Sequence, residues 1–346
     1  MVRVPKIFEG LANEVIEAMG GTCGKQIGHD YYLIKTEAPE QLRESKLAKF
    51  LRWKLPLNHA WPCNPTKTDG FVEKAAQGLL RKFGERKPQG LFIGQLNPGS
   101  PDRYFKQLAT NLRGRTLQLF HDLRVATVED QRPEEETLFC HLGREGLYAG
   151  MSTPRDANGF YPGGSMYVAQ NDDDVISRAG AKIAEALHYL PLHRSALRKE
   201  AHWLELGACP GGMTSELLAR GYRVTAIDRA PLDPRLMRSK GLAFLKEDVG
   251  RYRPGPDDSF DAILCDLNGP PEESIGHVIR LSHSLRKGGL AIFTLKVPKI
   301  ESTDEPCALF DTICGKARAS GLDLITATHL TYNRHEFTLF FERAAA

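Results

Sequence analysis

The residues best able to do chemistry in this 346-residue chain are a glycine loop and the charged side chains spaced behind it. An apolar run, Trp203 to Leu206, stops at Gly207; Gly211 and Gly212 follow, and then a helical pattern containing Met213, Leu217 and Leu218. Strand, glycine loop and helix bring backbone N–H groups up to a nucleotide-like ligand, and glycine lets the ligand approach without a Cβ in the way. Asp228 ends the next predicted strand, 21 residues after Gly207, where a carboxylate can accept hydrogen bonds from ribose hydroxyls. Asp248 follows the third strand, where an adenine amino group would arrive, while Asp266 ends the fourth and Lys296 the fifth. Charged residues at the carboxyl ends of adjacent strands line the ligand crevice of such sheets. An Asp or Lys buried there must be paired or functional, because unpaired buried charge is costly.

The elements that must hold these residues in place are regular. From 202 onward strands are predicted at 202–206, 222–227, 242–245, 260–265, 289–295 and 322–328, with helices between most of them. A last strand, Glu336–Phe341, follows Tyr332-Asn333 too closely for a crossover helix and should run antiparallel. The fold class is α/β, an open, mostly parallel, doubly wound Rossmann-like sheet. Upstream, Asn171–Asp174 is a candidate N-cap cluster for a helix over 175–190. The Pro-, Gly- and aromatic-rich stretch 153–168 reads as a linker or as a loop whose aromatics stack on bases. Residues 70–152 read α-β-α-β-β: helix 70–85, strand 91–93, helix 103–122 with Lys106, Arg113 and Arg115 on its exposed face, and a hairpin of 137–142 with 146–151. Residues 1–65 form a further α/β unit, with helices over 8–19 and 40–53, a strand at 31–36, and Pro62 and Pro65 marking a linker.

Composition narrows the function classes. A hydrophobic content of 41% with 26% charged residues reads as a soluble, globular chain, not a disordered one. No apolar run reaches the roughly 18 residues of a membrane span, and the first residues lack the apolar core of a secretory signal. The seven cysteines form no C-x-x-C pair; reduced thiols in a cytoplasmic protein are expected, with no metal site or disulfide framework. Residues 1–120 carry 19 Lys+Arg against 11 Asp+Glu, a balance of +8 that leaves −5 for the remainder of a +3 chain. The basic front half is therefore the better candidate for a polyanionic partner.

The run Leu206-Gly207-Ala208-Cys209-Pro210-Gly211-Gly212 resembles motif I of the FtsJ-like S-adenosylmethionine-dependent ribose 2′-O-methyltransferases. The segment Ser177 to Ile183 is similar to the motif X of that family, which carries a catalytic lysine, here Lys182. Asp266 matches the aspartate of motif IV, Lys296 the lysine of motif VI, and Glu336 the last glutamate. The similarity is greatest to the RlmM type, large-subunit ribosomal RNA cytidine 2′-O-methyltransferases. It implies a ferredoxin-like piece (1–65), a THUMP-like RNA-binding domain (66–152), a linker (153–174) and a catalytic domain (175–346). Two positions depart from the family pattern: Ala179 stands in place of a serine, and Met213 in place of a tryptophan.

The resemblance implies a catalytic tetrad of Lys182, Asp266, Lys296 and Glu336, and cofactor contacts from Gly207, Ala208, Cys209, Pro210, Gly211, Gly212, Asp228, Asp248 and Asp266. A ribose hydroxyl must lose its proton as it attacks a methyl sulfonium. A lysine made less basic by burial and a neighbouring ammonium can take that proton; Lys296 is expected to do so, with Lys182 supplying the like charge and the two acids holding both amines. RNA, ribosomal RNA above all, is the expected partner, with neither DNA nor membrane involved. Cys209 lies near a helix N-terminus, which could lower its pKa, but it reads as a small packing residue. Two other classes stay open: a nicotinamide-dependent oxidoreductase, although G-x-G-x-x-G is missing, and a non-catalytic, S-adenosylmethionine-binding RNA-assembly factor.

Overall fold

The computed structural model describes residues 1–98, 100, 103–121, 123, 127–168, 175–297 and 300–345. It divides into two compact units, Met1–Met166 and Tyr167–Ala346. The expected N-cap cluster Asn171–Asp174 lies outside the described residues.

The first unit holds two four-stranded sheets. Strands β1 (Val2–Arg3), β2 (Gly21–Ile27), β3 (Tyr31–Thr36) and β4 (Trp53–Lys54) form an antiparallel sheet in the order β2-β3-β1-β4, with helices α1 (Ala12–Ala18) and α2 (Gln41–Glu44) between them. The single helix expected over 40–53 is not there. Only α2 and a 3-10 turn at Ala48–Phe50 are helical, and Trp53 enters a strand.

The second sheet uses β5 (His59–Pro62), β6 (Gly90–Gln95), β7 (Thr137–Gly143) and β8 (Gly146–Ser152) in the order β5-β8-β7-β6. Helix α3 (Phe71–Phe83) precedes β6, and α4 (Tyr104–Leu119) lies between β6 and β7, so the α-β-α-β-β succession is present. Stretch 59–62, expected at the edge of a linker, instead pairs with β8. Alternation puts Leu138, Cys140 and Leu142 of β7 in one core with Leu79, Phe83 and Leu112 of the helices. Their neighbours Phe139 and His141 point the other way, towards Trp53 and Tyr31.

Two of the three cations expected on an open face of α4 are engaged. Arg115 makes paired hydrogen bonds to Glu73 of α3. The Arg113 guanidinium lies over the Phe92 ring and donates to the Leu91 carbonyl; Lys106 is exposed. Nor is 153–166 a free tether. Pro154 and Ala157 of helix α5 (Pro154–Ala157) and Phe160 are buried, Asn158 donates to the carbonyls of Leu51 and Arg52, and Arg3 donates to the Gly163 carbonyl.

The second unit contains α6 (Ala179–Tyr189), β9 (His202–Leu206), α7 (Gly212–Ala219), β10 (Arg223–Asp228), β11 (Leu242–Lys246), β12 (Phe260–Cys265), α8 (Pro271–Leu281), β13 (Leu285–Lys296), α9 (Asp304–Ala319), β14 (Leu322–Thr328) and β15 (Glu336–Arg343). Its seven-stranded sheet runs β11-β10-β9-β12-β13-β15-β14. The first five strands are mutually parallel, and β15 is antiparallel to both neighbours, as its short connection requires. Trp203, Leu204 and Leu206 are fully buried because both faces of a parallel sheet are covered. Strand order reverses between β9 and β12, and a doubly wound sheet opens its ligand crevice at that point.

Candidate active site

Three strand ends and one helix deliver the charged cluster. Asp266 is the first residue past β12, beside β13. Lys296 is the last residue of β13, and the antiparallel register sets it directly opposite Glu336, the first of β15. Lys182 stands in the first turns of α6. Its Nζ lies 2.6 Å from Glu336 Oε1 and 3.3 Å from Asp266 Oδ2; Lys296 Nζ is 3.5 Å from Asp266 Oδ1 and donates to Asn268 Oδ1 at 2.5 Å. The four expected residues thus form one chain, Glu336–Lys182–Asp266–Lys296.

The two amines differ. Burial acts to lower the pKa of Lys182, but the charges of Asp266 and Glu336 and their hydrogen bonds outweigh it, and the net shift is upward. Lys182 is therefore held as an ammonium between two carboxylates. Lys296 is more open, with 29% of its side chain exposed against 12% for Lys182, and it faces one carboxylate and one neutral amide.

Next to the cluster is a cavity of about 500 Å³. Gly207, Ala208, Cys209, Gly212, Asp228, Asp248 and Asp266 line it, together with Ala179 and Lys296. Gly207 has φ +82°, which favours glycine, and the Gly212 Cα faces Ser177 so closely that a Cβ would fall 2.1 Å from Ser177 Oγ. Asp228 accepts the N–H groups of Cys209 and Ala230, which holds the glycine loop against β10. Asp248 accepts the Gly250 N–H.

Pro210 and Gly211, expected to touch the cofactor, are not among the wall residues. The Pro210 carbonyl accepts the Asp233 N–H, and the Cβ position of Gly211 faces Leu236; both anchor the loop from behind. Nor is Cys209 an activated thiol. Desolvation, then the Asp228 charge, raises its pKa, and its N–H is what the loop uses.

Several wall residues were not anticipated, among them Glu205, Glu247, Asn268, Glu273 and His277. Glu205 is buried within β9, where burial pushes its carboxyl up to about 8 despite the hydrogen bond from Thr214 Oγ1 at 2.7 Å. Glu185, one turn beyond Lys182, accepts both the N–H and the hydroxyl of Thr331 at 2.7 Å and so ties α6 to the loop leading into Glu336. A second depression, of about 680 Å³, is lined by Arg178, Lys182, Tyr332, Arg334, His335 and Glu336 among others. It shares Ala179, Asn268 and Lys296 with the first.

The donor set of the first cavity fits S-adenosylmethionine. Five acidic residues (Asp228, Glu247, Asp248, Asp266 and Glu273), with the buried Glu205 carboxyl behind them, stand against Arg229 and Lys296. Such a wall suits a ligand with ribose hydroxyls, an amino group and a sulfonium, and it would repel a pyrophosphate. Asp228 and Asp248 would hold the nucleoside end and the glycine loop the adjoining chain.

Residues 175–295 match the family model described as FtsJ-like methyltransferase. A protein of Shewanella loihica named Ribosomal RNA large subunit methyltransferase M is 28% identical over 258 residues, covering 71% of this chain and 69% of the relative. Its namesake from Shewanella halifaxensis is 28% identical over 259 residues, covering 71% and 70%. Among solved structures, the Methanococcus jannaschii fibrillarin pre-rRNA processing protein is similar at 16% identity and TM-score 0.37, covering 65% of this chain and 87% of that one. Aeropyrum pernix fibrillarin, solved with natively bound S-adenosyl-L-methionine, is similar at 18% identity and TM-score 0.37, covering 62% and 85%. Over residues 175–295 the chain is therefore similar to the FtsJ-like methyltransferases, and its strand order, glycine loop and acidic cavity suit S-adenosylmethionine as cofactor.

Proposed function

We propose that this chain methylates a ribose 2′-hydroxyl of RNA, with large-subunit ribosomal RNA as substrate and a cytidine as the modified nucleotide. The observation that carries this is the Glu336–Lys182–Asp266–Lys296 chain at the junction of two depressions, one acidic and one lined by Arg178, Arg334 and His335. An acceptor nucleotide in the second depression would bring its hydroxyl to Lys296 and its phosphates to the cations.

When bound, S-adenosylmethionine supplies an electrophilic methyl group on a sulfonium. Lys296, as the neutral amine, takes the proton of the acceptor hydroxyl while the new oxygen–carbon bond forms and the sulfur–carbon bond breaks. Lys182 stays charged and orients the hydroxyl. Asp266 holds both amines, and Glu336 holds Lys182. In-line positioning of nucleophile and methyl supplies much of the acceleration. We also assign the basic first half, 1–65 as a ferredoxin-like piece and 66–152 as a THUMP-like domain, to gripping RNA, and we place the protein in the cytoplasm. Among the described residues no helix is long and apolar enough to cross a membrane.

The test is labelled-methyl transfer to unmodified large-subunit ribosomal RNA and to a DNA copy of the same sequence, followed by mapping of the methylated atom. Transfer to RNA alone, at a 2′-oxygen, is expected because DNA lacks the acceptor. Lys296→Met should lower kcat by about 10²–10⁴-fold, with S-adenosylmethionine binding retained by calorimetry and no heat from a nicotinamide dinucleotide. Methylation of a base, or full activity of the Lys296 variant, would overturn the proposal.

A further inference from the structure

Asn268 lies two residues past Asp266, in the loop between β12 and α8, and its side chain reaches back to Lys296. It lines both depressions, at the point where they meet. Among the described residues, three contacts at the two lysines are to carboxylates: Glu336 and Asp266 at Lys182, and Asp266 at Lys296. The fourth is this neutral amide.

The difference matters for proton transfer. A carboxylate is acceptor-only and binds an ammonium far better than a neutral amine. An amide carries both kinds of group. Its oxygen accepts from the ammonium, and its NH₂, after rotation of the terminal torsion, donates to the lone pair of the neutral amine. We infer that Asn268 is a positioning residue that keeps Lys296 Nζ at the junction of the two depressions in both of its protonation states, leaving the amine free to lose and regain its proton. This rests on the reading of Lys296 as the proton acceptor.

Asn268→Asp preserves size and the acceptor oxygen but adds a charge that favours the ammonium. At saturating S-adenosylmethionine and RNA, the rise of kcat with pH should move upward by about one unit in this variant, about a tenfold loss at pH 7 that is recovered at high pH. Asn268→Ala should lower kcat at every pH without that upward displacement. An Asn268→Asp profile that falls by the same factor at all pH values, or does not change, overturns the inference. Lys296→Met in the same assay separates the two failures: a dead Lys296 variant with an undisplaced Asn268→Asp profile removes the role of Asn268 alone, while an active Lys296 variant removes the base assignment beneath it.

Discussion

Glu205 shows how one buried side chain can bias a whole site. Burial raises its carboxyl to about 8, and the charges of Asp266 and Asp228 add to the effect. Between its ordinary value of 4.5 and about 8, the folded protein holds a proton that the unfolded chain has released. Unfolding therefore releases a proton, and this group makes stability fall as pH rises through that window, by at most about 1.4 kcal/mol per pH unit. Glu205→Gln keeps the shape and removes the titration. Urea midpoints measured without cofactor should show wild type losing stability relative to this variant from pH 5 to 8; parallel curves would refute the assignment. Glu205 was hard to see in sequence because it is one polar letter in a strand otherwise apolar from Trp203 to Leu206. Asn268 was hidden differently, since Asn268-Gly269-Pro270-Pro271 reads as a turn. Asp228, Asp248, Asp266 and Lys296 were legible because each follows a predictable strand. Lys182 and Glu336 needed the family resemblance, as nothing local separates a helix lysine bound into a charged cluster from a solvated one.

The position of Lys182 depends on how α6 crosses α7. At the crossing the two backbones nearly touch: a Cβ on Gly180 would lie 2.9 Å from the Gly212 carbonyl oxygen. In an ordinary helix Gly→Ala is favourable by about 1 kcal/mol. Here the obstacle is backbone, which cannot swing aside, and overpacking of this kind costs about 1–3 kcal/mol. Gly180→Ala is therefore expected to lower stability in thermal unfolding, against the propensity rule. It should also lower kcat, because an α6 pushed outward carries Lys182 away from Asp266 and Glu336. A variant more stable than wild type would show the crossing to be slack. The elements themselves differed in legibility for physical reasons. The buried parallel strands of the second half are nearly continuous apolar runs. β2, at the edge of its sheet, reads Gly-Thr-Cys-Gly-Lys-Gln-Ile and has mostly polar or exposed positions, while Pro62 disguises β5. The expected helix over 40–53 gives way where Trp53 is taken into a strand and fully buried.

For the whole molecule, charge alone pointed to a basic stretch over 1–120, which lies within the first compact unit. The limit of that unit was not legible, because the Gly- and Pro-rich residues before Met166 resemble a tether yet pack around Trp53 and Tyr31. The two units also carry opposite titration liabilities. In the first, His141 of the central strand β7 is fully buried and neither ring nitrogen has a hydrogen-bond partner among the described residues. Burial, then the charges of Arg3 and the N-terminus, lowers its pKa to about 3. Below its ordinary value of 6.5 the unfolded chain binds a proton that the folded unit refuses, so this group's effect is to make stability fall as pH drops from 6.5 towards 3. Glu205 acts in the second unit with the reverse sign. Hydrogen exchange resolved to segments should therefore show β7 losing protection first as the solution is acidified, and β9 first as it is made alkaline. His141→Gln should abolish the acid-side loss in β7 and leave β9 unchanged. Equal loss in both strands at either extreme would mean that the two groups do not set the pH limits of their units.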